Sequence, residues 1–230
     1  RRFGTKTSTW KTFTAQEIGY AEPDSADYQG HFITDVVTSS AGKVWVSDCI
    51  GEGEVLRGQG VRRLDDQTWN PAPPTVQECV LDMAVDSFDR IWVSAFDRVL
   101  RYDPLSGSWD EFTLPAGRRA LVTRITLDHK DIPWIEVARA GGASLFGSVE
   151  RYHLKGNEWV LDEEPGFYTS AILAFDKDNQ AWFCSDGQLS LFGISGVMLP
   201  YGKLNTSSCR IAFDNSGQGW LLALGGQDAG

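Results

Sequence analysis

Apolar residues in this chain come in short runs closed off by glycine, asparagine or aspartate, with no helical period anywhere. The clearest case is Val85-Asp86-Ser87-Phe88-Asp89-Arg90-Ile91-Trp92-Val93-Ser94. It reads as strand, tight turn, strand. Asp86 opens the turn as a side chain that can bond its own backbone, and Asp89 stands where a left-handed residue fits. The same pattern returns around Trp45, Trp134, Trp182 and Trp220. Six residues before these tryptophans, Trp92 included, stand Ser39, Asp86, Asp128, Asp176 and Asp214; three before stand Gly42, Asp89, Asp131, Asn179 and Gly217. The second set consists of residue types that tolerate positive φ.

The tryptophans are spaced by 47, 42, 48 and 38 residues, near the ~40–50 residues of a propeller blade. Each hairpin is followed by a third strand, as at Val99-Leu100-Arg101-Tyr102-Asp103 and Val149-Glu150-Arg151-Tyr152-His153. A fourth follows, as at Trp109-Asp110-Glu111-Phe112-Thr113 or Trp159-Val160-Leu161. The fifth hairpin lacks these outer strands, but Arg1-Arg2-Phe3-Gly4 and Trp10-Lys11-Thr12-Phe13-Thr14 match them. The expectation is an all-β, five-bladed β-propeller of four-stranded antiparallel blades. N-terminal outer strands would join C-terminal inner strands to close it, which removes the open edge. A single domain over 1–230 is expected, with blades near 31–74, 78–115, 120–163, 168–202, and 206–230 plus 1–14. Residues 15–30 are expected to form a loop between the fifth blade and the first.

These repeats resemble the two-component regulator propeller repeat: a hydrophobic strand, Asp-x-x-Gly-x-x-Trp, an Arg-Tyr-Asp strand and a Trp-x-x-Phe/Tyr strand. They are also similar to the repeats of streptogramin lyase propellers. The regulator resemblance implies a ligand-binding sensor region lying outside the cytoplasm. The lyase resemblance implies chemistry by a histidine, acidic groups and magnesium on one face. By this alignment His31, His129 and His153 fall before a first strand, in a hairpin turn and at the end of a third strand, so they do not converge.

In a propeller the starts of the innermost strands and the ends of the second strands share one face around the central channel. Ten residues before each tryptophan, at those starts, stand Asp35, Asp82, Arg124, Ile172 and Arg210. Semi-buried charge is costly unless paired. Asp35 and Asp82 either bridge Arg124 and Arg210 as a plug or line a polar pocket for a small ligand. Glu136, two residues after Trp134, is a further candidate, and with the two aspartates it would supply the paired carboxylates of a glycosidase. Charged second-to-third-strand loops (Asp48, Glu52, Glu54 and Arg57; Arg139; Phe96-Asp97-Arg98; Ser185-Asp186) also lie on this face, where solvated loops are the plainer reading. The recurring tryptophans are expected to pack between blades. Trp10, Trp69, Trp109 and Trp159 begin outer strands, where a sugar platform is the alternative to packing.

Cys49 lies past the second strand of the first blade and Cys79 before the first strand of the next. Cys184 and Cys209 stand in nearly the same relation. Disulfides Cys49–Cys79 and Cys184–Cys209 are the reading that implies an oxidising compartment; four buried thiols are the alternative. The spacing lacks CxxC or clustered histidines, so neither zinc nor another metal or cofactor is expected. The net charge of −10 from 31 acids and 21 bases argues against nucleic acid and anionic membrane as partners. No apolar run approaches the roughly 20 residues that span a bilayer. The chain opens on Arg1-Arg2-Phe3, which leads us to expect a mature product or an excised domain. The partner expected is a small-molecule or peptide ligand, or a protein if the ring is a scaffold. An enzyme of the lyase or glycosidase kind is the alternative.

Overall fold

The computed structural model describes residues 2–4, 9–20, 28–52, 55–58, 60–65, 68–71, 79–114, 120–141, 144–162, 171–185, 188–192, 198–203, 208–213 and 217–224. Nearly all of them are antiparallel strand. Strands β1 (Arg2–Gly4) and β2 (Thr9–Lys11) pair with each other, Phe3 opposite Trp10. A single turn of helix, α1 (Ala15–Ile18), follows. The first large sheet has the order β3 (Tyr28–Thr38), β4 (Val44–Glu52), β6 (Val61–Asp65), β7 (Thr68–Pro71), with β5 (Val55–Arg57) folded back on the end of β4. The second comprises β8 (Val80–Val85), β9 (Ile91–Ala95), β10 (Arg98–Asp103) and β11 (Ser108–Thr113). The third comprises β12 (Ala120–Leu127), β13 (Pro133–Gly141), β14 (Ser144–Lys155) and β15 (Glu158–Leu161). The fourth comprises β16 (Ala171–Phe175), β17 (Ala181–Ser185), β18 (Gln188–Phe192) and β19 (Met198–Lys203). Strands β20 (Ser208–Phe213) and β21 (Gly219–Leu224) form a final two-stranded sheet. The chain divides into two compact units, Arg1–Glu111 and Phe112–Gly230.

The first-to-second-strand turns are built as their residues dictate. Gly42, Asp89, Asp131, Asn179 and Gly217 all take positive φ, between 58° and 83°. Asp86 Oδ1 accepts from the backbone N–H groups of Phe88 and Arg90, while Oδ2 accepts from Arg90 Nε at 2.6 Å and Trp92 Nε1 at 3.1 Å. Asp176 repeats this with Asp178, Gln180 and Trp182 Nε1. In these two turns the opening aspartate ties the turn to the tryptophan six residues on. Neighbouring turns also clasp one another. Ser40 donates through its backbone N–H and its hydroxyl to the Asp89 carboxylate, and the His129 N–H donates to Asn179 Oδ1 at 2.9 Å.

Sheet packs on sheet through the tryptophans. Trp45, buried, meets Tyr102 of the second sheet at 5.4 Å between ring centroids. Trp134 meets Phe175 of the fourth sheet, and Trp182 meets Phe213 of the last hairpin, each at 5.8 Å. Trp220 departs from the expected inter-blade packing, with 62% of its surface exposed.

Three local expectations are corrected. Residues 15–30 are not all loop: Thr14 and Glu17 form a capping box on α1, and β3 already begins at Tyr28. The expected charged loop after Cys49 is largely strand, because β4 runs on to Glu52 and pairs with β5; Asp48 within it is fully buried. In the third sheet the longer β13–β14 hairpin shifts the register, so His153, not Arg151, stands opposite Trp134. Arg63 and Arg101 hold that place opposite Trp45 and Trp92.

Candidate functional site

The charged positions ten residues before each tryptophan lie within the first strands of their sheets, Asp35 on β3, Asp82 on β8, Arg124 on β12 and Arg210 on β20, and a bulge accompanies the first three. Strand β3 shifts register between Ile33 and Asp35, and β8 between Val80 and Met83. The Asp35 carboxylate accepts the N–H of Val36 at 2.8 Å through Oδ1 and that of Met83 at 2.9 Å through Oδ2. It is therefore a stitch from the first sheet to the second. Asp82 is buried, its N–H donating to Ser94 Oγ, which donates back to the Asp82 carbonyl. Thr34 Oγ1 bridges Ser47 Oγ and the Val80 carbonyl. These groups hold two sheets together with neutral and carboxylate acceptors.

The same position in the third sheet is built differently. Arg124, half-buried after a bulge at Val122, stands opposite Glu136, and Glu136 stands opposite Arg151. Glu136 and Arg151 are buried, with 6% and 8% of their surface exposed. Arg151 meets Asp162 at 3.6 Å and lies over the Phe183 ring at 4.8 Å. Burial pulls the Arg151 guanidinium below its ordinary pKa, and Glu136 and Asp162 oppose that fall. The result is a row of alternating sign, Arg124, Glu136, Arg151, Asp162, running from the innermost strand outward. Glu136 and Arg124 were visible as candidates in the sequence. Arg151 and Asp162 were not, because repeat alignment placed Arg151 two residues away from its true register.

Arg210 lies on β20 opposite Leu222, and its side chain is outside the described residues. Asp35 and Asp82 belong to the first unit, Arg124 and Arg210 to the second. Of the loop candidates, the side chains of Glu52, Arg57, Arg139 and Ser185 and the residues Glu54 and Asp186 also fall outside the described set. In the short hairpin of the second sheet Phe96 takes φ 51°, a left-handed value for an aromatic residue, and Arg98 reaches Glu111 at 3.8 Å. Trp69 and Trp159, candidate sugar platforms, are half-buried and buried respectively. Among the described residues no group of three His, Cys, Asp or Glu is placed to hold a metal ion. His129 sits in a hairpin turn and His153 stacks on Trp134 at 4.8 Å; the His31 side chain is outside the described residues.

Cys49 and Cys79 form a disulfide that joins β4 to the residue leading into β8. The Cys184 and Cys209 side chains lie outside the described residues.

A second buried cluster, unforeseen in the sequence, lies behind the first sheet. Tyr20 follows Gly19, the left-handed end of α1, and donates from its hydroxyl toward the carbonyls of Val46 and Gly60. The Arg62 guanidinium covers its ring at 4.9 Å. Burial, then the charge of Asp48, raises the Tyr20 phenol far above its ordinary pKa, with Arg62 acting against both.

No family model matches the chain, and no curated protein matches it. Solved structures do resemble it. The extracellular domain of BT4673 from B. thetaiotaomicron, described as a one-component system, aligns with a TM-score of 0.50 at 12% identity over 86% of this chain. This chain spans only 38% of that domain. A structure described as a gluconolactonase aligns with a TM-score of 0.50 at 10% identity, over 86% of this chain and 76% of that one. Virginiamycin B lyase from Staphylococcus aureus aligns at 0.48 and 19% identity, over 84% of this chain and 67% of the lyase. The fold is a β-propeller. At these identities the likeness carries the architecture and no chemistry. Among the described residues no helix is long and apolar enough to cross a membrane.

Proposed function

We propose that this propeller is a ligand-binding or sensing module, with its site at the channel mouth where the innermost strands begin. The observation that carries the binding reading is the row Arg124, Glu136, Arg151, Asp162, buried at its two middle members. It brings charge through the third sheet to an innermost strand, where equivalent positions in the first unit hold structural acceptors. The glycosidase alternative gains no support from Asp35, whose carboxylate is engaged by two backbone amides. The Cys49–Cys79 disulfide supports an extracellular or periplasmic setting.

The test is a thermal-shift screen of sugars, organic acids, amino acids and cyclic peptides, followed by amide NMR mapping of any hit. A ligand at 100 times its Kd adds about 2.7 kcal/mol. Shifts should gather around Arg124 and Glu136 in the third sheet. Shifts gathered instead at the turns around Asp131 and Asn179 would sink this reading.

A further inference from the structure

We infer that the hairpin β13–β14 has two registers two residues apart, and that Glu136 selects the observed one by standing opposite Arg151.

In the first two sheets an arginine of the third strand stands opposite the hairpin tryptophan, Arg63 opposite Trp45 and Arg101 opposite Trp92. Each guanidinium lies over its indole, at 5.3 and 5.2 Å. Each also meets an aspartate, Asp65 at 2.7 Å and Asp110 at 2.5 Å. The third sheet carries the same three residue types in Trp134, Arg151 and Asp162, but slides them apart. Arg151 and Asp162 still meet, at 3.6 Å. His153, however, has taken the place opposite Trp134 and stacks on it.

The turn does not impose this slide, although a hairpin's register is ordinarily set there. In the second sheet Ala95 stands opposite Arg98 at the turn, and three residues inward on each strand come Trp92 and Arg101. In the third sheet Gly141 stands opposite Ser144, and seven residues inward on each strand come Trp134 and Arg151. Continued from the turn, this register would restore the tryptophan–arginine pair. Instead the pairing jumps between Arg139 and Gly141, where one residue of β13 spans three of β14, and everything inward is displaced by two. A displacement of two keeps every side chain on its own face, because the side-chain period of a strand is two. The two registers therefore share one pattern of faces and differ by about 7 Å of travel along β13.

Charge separates them. In the observed register the buried Glu136 stands opposite the buried Arg151, and its charge acts on that guanidinium. In the register continued from the turn, Glu136 would stand opposite Val149. Arg124, on the other neighbouring strand, is opposite Glu136 in both and does not discriminate. A buried carboxylate is costly away from a cation, and fixing register is the best-attested use of a buried ionic pair. Arg151 also exchanges the indole that its counterparts cover for the Phe183 ring of β17, at 4.8 Å.

Cross-strand backbone NOEs of the whole protein read the register directly. Wild type should show Trp134 against His153 and Ile135 against Tyr152. Glu136→Leu should move both by two residues, to Trp134 against Arg151 and Ile135 against Glu150, and contacts between Arg151 and Phe183 should vanish. Glu136→Asp, which keeps the charge, should retain the wild-type set. Should Glu136→Leu not fold, Glu136→Gln, close in shape and without charge, is read in its place with the same expectation. A folded Leu or Gln variant that keeps Trp134 against His153, with stability alone reduced, overturns the inference. So does loss of the fold in both variants, which would leave the third sheet a single register.

Discussion

The aspartate that opens the second and the fourth of these turns does more than cap it. Asp86 gathers four donors onto one buried carboxylate, the Trp92 indole and the Arg90 guanidinium among them. Asp86→Ala should therefore cost roughly 3–5 kcal/mol in urea unfolding, since it leaves a part-buried arginine and two amides without their acceptor. Loss below 1 kcal/mol would show that water replaces the carboxylate at no cost. Asp65 gives a prediction in pH. Its partial burial acts upward, but hydrogen bonds from Lys43 and Arg63 hold its pKa below the ordinary value. A carboxylate depressed in the folded state adds stability that is complete above its unfolded pKa of about 3.9 and is lost as pH falls through the folded value. The gap in stability between wild type and Asp65→Asn should thus be present at neutral pH and vanish in acid; a gap that widens in acid would refute the assignment. At this scale the turn chemistry was legible in the sequence, because Asp, Gly and Asn at fixed offsets have few conformational uses. The row behind Arg124 was half legible. Glu136 and Arg124 are local departures from a repeat rule, whereas their register with Arg151 depends on hairpin length, which residue types do not encode.

Among the elements, α1 is the one that periodicity could not reveal. A single turn has no period. Its signals were chemical instead: Thr14 and Glu17 in capping-box spacing, then Gly19 at a left-handed stop. It packs Ile18 and Tyr20 against Val46, with Phe13 and Trp69 alongside. Tyr20→Ala should cost about 3–5 kcal/mol, in the range of other buried aromatic truncations. Thr14→Ala should cost about 1 kcal/mol. Equal and negligible losses in both variants, measured by urea unfolding, would mean that this segment contributes nothing to the first unit. The strands themselves were read correctly from alternation and turns. The extension of β4 past Cys49 was missed because Asp48, Glu52 and Glu54 look solvated, although Asp48 is buried where the sheet continues.

For the whole molecule, the disulfide closes a loop of 30 residues across two sheets of the first unit. Replacing Cys49 and Cys79 by serine should cost about 2–4 kcal/mol. Hydrogen exchange should quicken in β3, β4 and β8 and stay unchanged across β12 to β19. Uniform quickening along the chain would show that the two units unfold as one. The class of fold came from the spacing of five tryptophans, a long-range regularity that survives insertions. The exposure of Trp220 did not follow from that regularity, because a repeat position predicts a partner only where another sheet covers it.

The clasp between neighbouring turns has an evolutionary consequence. Ser40 gives hydrogen bonds to Asp89 in the repeat that follows, and His129 gives one to Asn179 in the same sense. In each of these pairs the earlier repeat brings the donor and the later one the acceptor. Duplicating or deleting such a pair as one piece of a gene leaves no widowed bond at the seam. Lineages of such chains can lengthen and shorten by unit steps, and a charge row like that of Arg124 can arise in one copy while its siblings keep the framework.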